Sequence, residues 1–79
     1  MLTSAQIRAG RALLNWTVRA LAEKSGVHRN TVTRAETEAT GPGYATVAIR
    51  TALEAAGVEF IAENGGGVGA RLKNRGTDV

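Results

Sequence analysis

LAEKSGVHRNTVTRAE, residues 21–36, is the stretch from which the architecture can be read. A single glycine, Gly26, stands between two short runs with helical spacing. Upstream, Thr17 is a good N-cap, and Val18, Leu21 and Ala22 give the following helix an apolar stripe. Gly26 suits the left-handed conformation that ends a helix. Downstream, Val27 lies before a cap at His28 and Val32 lies at the fourth helical position, the spacing of a hydrophobic staple. This second helix is expected to fade near Ala39. Two helices joined by a glycine-containing turn of three or four residues form a helix-turn-helix unit. The first helix braces the second, and the second projects its N-terminal turn outward.

The same reading extends to both sides. Thr3 and Gln6 have the capping-box spacing, which predicts a helix from there to about Leu14, with Ile7, Gly10, Arg11 and Leu14 on one face and Leu13 beside it. Gly10 costs a helix about 1 kcal/mol relative to alanine, so a close neighbour is expected there. Asn15 and Trp16 break the pattern. TGPGY, residues 40–44, reads as a loop. A fourth helix is expected over Ala45–Ala56, with Ile49, Ala52, Leu53 and Ala56 on one side and Gly57 at its end. The period then changes: VEFI at 58–61 and VGARL at 68–72 read as strands around an ENGGG turn, which together make a hairpin. The tail NRGTDV, residues 74–79, has no core-forming pattern and is expected to be mobile. The fold class is therefore mainly α, four helices followed by a short C-terminal β-hairpin.

The chain has 79 residues, no cysteine and one histidine, His28. One small domain is expected, with marginal burial that a partner subunit could supplement. A disulfide frame and a thiolate or histidine-cluster metal site are excluded. MLTSAQIR does not resemble a secretory signal and no apolar run approaches a membrane span, so the expected location is cytoplasmic, with no membrane partner. The net charge of +3 is unevenly spread. Residues 8–34 hold six basic residues against one acidic, a net of +5; residues 35–70 hold one against five, a net of −4; residues 71–79 hold three against one, a net of +2. A basic half points to a polyanion, of which nucleic acid is the commonest.

Residue types at the start of the helix after Gly26 sharpen this. Arg29, Asn30, Thr33 and Arg34 share the face opposite Val32 and Ala35. Arginine can pair two donors with guanine, and asparagine can pair donor and acceptor with adenine. These four are the candidate base readers of double-stranded DNA. Thr17, Arg19, His28 and Thr31 are candidates for the DNA backbone, since a helix N-terminus attracts phosphate. His28 is read as an exposed cap; facing a phosphate, it would raise affinity as pH falls through imidazole titration. Trp16 reads as packing between helices. GGGVGA, residues 65–70, fits a loose dinucleotide-loop pattern, but the residues after it are strand-like and no helix opens there. Nothing suggests catalysis, a cofactor or a small-molecule ligand.

The pattern from Leu21 to Glu36, within residues 5–57, resembles the lambda-repressor-like (Cro/XRE-type) helix-turn-helix family. Leu21, Ala22, Gly26, Val27, Val32 and Glu36 match its structural positions. The resemblance implies a DNA-binding domain over 1–57, sequence-specific regulation by a repressor, and a two-fold dimer on a palindromic operator. It also implies an ion pair between Arg11 and Glu36. The sequence departs from the family at Val18, where glutamine often grips a phosphate. It departs again at His28, a common serine or threonine cap, and at Ala35, usually a large apolar residue. TEATGPG, residues 37–43, replaces a shorter ending and predicts a longer third helix. The hairpin, 58–73, is the expected dimerisation element. Val58, Phe60, Ile61, Val68 and Leu72 would be its contacts, setting two reading helices roughly 34 Å apart. The other reading of the hairpin packs it on its own chain. The alternative function is an antitoxin-type module that neutralises a partner protein and regulates its own operon.

Overall fold

The computed structural model describes residues 2–38, 43–63 and 65–73. The element order is α1 (Ser4–Leu13), α2 (Val18–Ser25), α3 (Arg29–Thr37), α4 (Gly43–Ala55), β1 (Val58–Ile61) and β2 (Gly69–Leu72). Among the described residues the fold is thus four helices and an antiparallel hairpin, as the sequence pattern indicates.

Local chemistry sets each boundary. Thr3 Oγ1 accepts from the Gln6 amide at 3.1 Å, and Gln6 Oε1 accepts from the Thr3 amide at 2.9 Å, closing the capping box of α1. The other end of α1 is sealed by Asn15 in the left-handed region, φ 57°. There the Asn15 and Trp16 amides donate to the carbonyls of Ala12 and Arg11. That pair of bonds is the Schellman arrangement, with asparagine where glycine is more usual. Thr17 Oγ1 accepts from the Ala20 amide to cap α2. Gly26 ends α2 at φ 74° with no atom near its missing Cβ, so backbone conformation alone demands glycine there.

Three expected boundaries move. Helix α3 stops at Thr37, with Glu38 already extended, rather than reaching Ala39, which lies outside the described residues. The Thr37 hydroxyl donates to the Thr33 carbonyl within the last turn, a side-chain bond that competes with helix continuation. Helix α4 begins at Gly43, so Gly43 and Tyr44 are helical and not loop. The proline in TGPGY is the reason the pattern is ambiguous, since proline marks a helix start as readily as a loop. Strand β2 begins at Gly69, leaving Val68 exposed in the turn. The tail 74–79 lies outside the described residues.

One core joins helices and hairpin: Leu2, Ile7, Leu21, Val27, Val32, Ala35, Ala45, Ile49, Leu53 and Val58 are buried together. The close neighbour of Gly10 is now identified. A Cβ there would lie 3.2 Å from both Leu53 Cδ1 and Phe60 Cζ, so the missing side chain lets the hairpin settle onto α1 and α4. Strand register pairs Val58 with Leu72 and Phe60 with Ala70. All four pack on the helical core. Ile61 takes the opposite face of the ribbon, over Gly69. On that outer face Arg71 Nε lies 3.0 Å from Glu59 Oε1 and holds the Glu59 carboxyl below its ordinary range by hydrogen bond and charge. The small stabilisation from this pair is present near neutrality and is lost as pH falls through Glu59's depressed titration.

The hairpin is therefore part of its own chain's core, and several of the residues expected at a dimer contact pack inward. Val58 is wholly enclosed, and Phe60 and Leu72 face inward. Ile61 and Val68, with the backbone edges of the strands, are what a second copy could reach. Buried Gln6 adds a polar tie, donating from Nε2 to the carbonyls of Ile61 (3.1 Å) and Gly69 (3.0 Å). Gln6→Glu keeps an oxygen for the capping box but turns a carboxylate towards two carbonyls. It is expected to cost about 2–3 kcal/mol in urea unfolding; an unchanged midpoint would show that the hairpin does not depend on this tie.

Candidate nucleic-acid interface

Helices α2 and α3 are separated only by Gly26, Val27 and His28. The left-handed glycine reverses the chain sharply, and Val27 and Val32 are both buried, so the staple fixes how α3 leaves the turn. With Val32 and Ala35 facing inward, Arg29, Asn30, Thr33 and Arg34 all stand exposed on the other side. The cap is His28, whose Nδ1 accepts from the Asn30 amide at 3.1 Å.

The four candidate backbone residues are not equivalent. Thr17, Arg19 and His28 are exposed, and Thr31 is half-buried. The Thr17 oxygen already caps α2, which leaves its hydroxyl hydrogen to donate. A shallow, open trough lies between α2 and the start of α3, lined by Arg19, Ala22, Glu23, Gly26, Val27, His28 and Arg29. Glu23 was not among the residues singled out from the sequence. It stands one helical turn from Arg19, and that i,i+4 spacing was the available signal. It is the one acidic residue among those lining this otherwise basic trough. Half-buried Trp16 packs against the core, with Lys24 Nζ 5.9 Å from its ring centroid, so that lysine is engaged away from the trough.

Arg34 is partly committed as well. Its Nε lies 3.7 Å from Glu38 Oε1, with both side chains more than half exposed, a pair that solvent leaves weak. Among the described residues, Arg29 and Arg19 have no such carboxylate partner within ion-pair distance.

Beneath this face, α3 is held by charge. Arg11 Nε donates to Glu36 Oε2 at 2.6 Å and Nη2 donates to Oε1 at 3.0 Å, a two-pronged grip on a carboxylate that is 6% exposed. Arg11 Nη1 also donates to the Trp16 carbonyl, and Arg8 donates to the Glu36 backbone carbonyl. Two arginines of α1 thus converge on one residue of α3. Every buried side-chain nitrogen and oxygen among the described residues has a hydrogen-bond partner.

A helix braced in this way, with its first turn free and bearing arginine and asparagine, defines a helix-turn-helix protein. The family model for helix-turn-helix proteins of the Cro/C1 type matches residues 7–49, and the chain belongs to that family. The match spans most of α1, all of α2 and α3 and the first half of α4; the hairpin lies beyond it. It supports a DNA-binding regulator. No curated relative matches the chain. No described helix is long and apolar enough to cross a membrane. Among the described residues, no group of three or more His, Cys, Asp or Glu side chains is placed to hold a metal ion.

Proposed function

We propose that this chain is a sequence-specific repressor that occupies a palindromic operator as a homodimer in the cytoplasm. The observation that carries the reading is the exposed row Arg29, Asn30, Thr33 and Arg34 on a helix whose other side is locked by Arg11 and Glu36. These four contact base edges. Thr17, Arg19, His28 and Thr31 hold phosphates on either side. Of the carboxylates in the acidic segment 35–70, Glu54, Glu59 and Glu63 fall in α4 and the hairpin region, while Glu36 and Glu38 at the end of α3 are paired with Arg11 and Arg34. Selection of bound duplex from a random pool, repeated at two salt concentrations, tests this. A recurring two-fold-symmetric site is expected, with affinity falling steeply as salt rises. A pool that remains random would remove the reading.

The second copy meets the first through what the hairpin leaves free, the strand edges together with Ile61 and Val68. Replacing both by lysine should convert a dimer to a monomer in sedimentation while leaving the helical signal intact. A dimer that survives the double substitution would place the contact elsewhere. Deleting the whole hairpin is no clean test, because it also removes Val58 from the core.

A further inference from the structure

The bond from the Asn30 amide to His28 Nδ1 has a consequence for recognition that charge alone does not give. An imidazole nitrogen accepts only when it carries no proton. With Nδ1 accepting, the neutral ring has its hydrogen on Nε2, as a single donor. Protonating Nδ1 replaces the acceptor by a second donor that points at another donor, at the positive end of the α3 dipole. The cap is then lost. Arg29 and Asn30 occupy the turn that it orders.

We propose that His28 is the positioning residue of the reading tip: its neutral, Nε2–H form holds the first turn of α3 and thereby sets sequence preference. This rests on the reading of α3 as the base-contacting helix. Acid then has two opposed effects. An imidazolium beside phosphate strengthens binding to any duplex, and the loss of the cap weakens the selective part. The ratio of selected to mixed-sequence binding falls with pH even if absolute affinity does not. A histidine that only supplies charge would strengthen both duplexes alike and leave this ratio unchanged. The charged groups that share the trough are Arg19 and Glu23 from α2 and Arg29 from α3 itself. Variants at position 28 leave all three in place, so they isolate the histidine.

The experiment measures binding of the full chain to the duplex enriched by selection at pH 8 and to a mixed-sequence duplex, at pH 8 and pH 5.5. For the natural chain the preference should drop about five-fold, the equivalent of one helix cap. His28→Ala should show the reduced preference at both pH values. His28→Asn, which can cap without titrating, should show one preference at both. In parallel, nitrogen NMR of the ring should find the Nε2–H form at pH 8, and the Asn30 amide should lose exchange protection at pH 5.5. A preference that is constant or rises in acid overturns the proposal, as does a His28→Asn variant that keeps the pH dependence. Failure to enrich any duplex overturns this proposal together with the base-reading role of α3. An enriched duplex with a flat pH profile overturns the proposal alone.

Discussion

Replacing Arg11 by methionine is expected to destabilise the fold by about 3–5 kcal/mol, the largest single effect foreseen. The reason is the residue left behind. Glu36 is almost wholly buried, and both of its oxygens are bonded to Arg11. Without the guanidinium, a carboxylate stays in the interior and must either find water or take up a proton. A small domain with a total stability of about 5–15 kcal/mol does not absorb that loss lightly. Glu36→Leu should cost less, because Arg11 is a quarter exposed and keeps the Trp16 carbonyl. The double substitution Arg11→Met with Glu36→Leu should recover most of the stability, since an apolar pair of similar volume replaces a desolvated ion pair. Equilibrium unfolding of the four proteins closes the cycle. If the two single effects simply add, the pair is not the brace described.

The second large effect is on recognition. Arg29→Ala and Arg34→Ala should each weaken binding to the selected duplex by about 1–3 kcal/mol and relax specificity, with little change in unfolding. The two are not expected to be equal. Arg29 is unpaired among the described residues, whereas Arg34 must leave Glu38 to reach a base. The loss at Arg34 should therefore sit at the lower end, and Glu38→Gln should raise affinity slightly. Arg19→Ala gives the contrast. As a backbone contact it should weaken selected and mixed duplexes alike and flatten the salt dependence. Equal losses on both duplexes from Arg29→Ala would reduce that residue to a phosphate contact.

Much of the fold was legible because its punctuation is local. Thr3 with Gln6, Thr17, Gly26 and His28 each fix a boundary through bonds to residues only two to four positions away. The staple of Val27 and Val32 and the need for glycine at position 10 were equally readable. That it is Phe60 that approaches Gly10 was not readable, because fifty residues separate them and no spacing rule spans that distance. The hairpin shows the same limit. A two-residue period says that a ribbon has two faces; it does not say what covers the apolar one. Val58, Phe60 and Leu72 fit a partner's surface and a helical core equally well by pattern, and the core has them.

The interface was legible in part for a related reason. Helical spacing places Arg29, Asn30, Thr33 and Arg34 on one exposed side once Val32 is known to be inside. What each side chain is already bound to depends on rotamers and on the approach of α1 and α2. Spacing offers Glu38 to Arg34 and a cap at His28; that the arginine takes the pair, and that Nδ1 is the ring atom that accepts, follow from coordinates, as does the place of Glu23 in the trough.

If the free first turn of α3, and no other surface, meets the bases, the backbone amides of the labelled chain should report it. Titration with the selected duplex, followed by NMR, should shift residues 28–34 most. A second group of shifts is expected at the start of α2, near Thr17 and Arg19. Shifts concentrated instead in α4 or the hairpin, with residues 28–34 unmoved, would contradict base reading by α3.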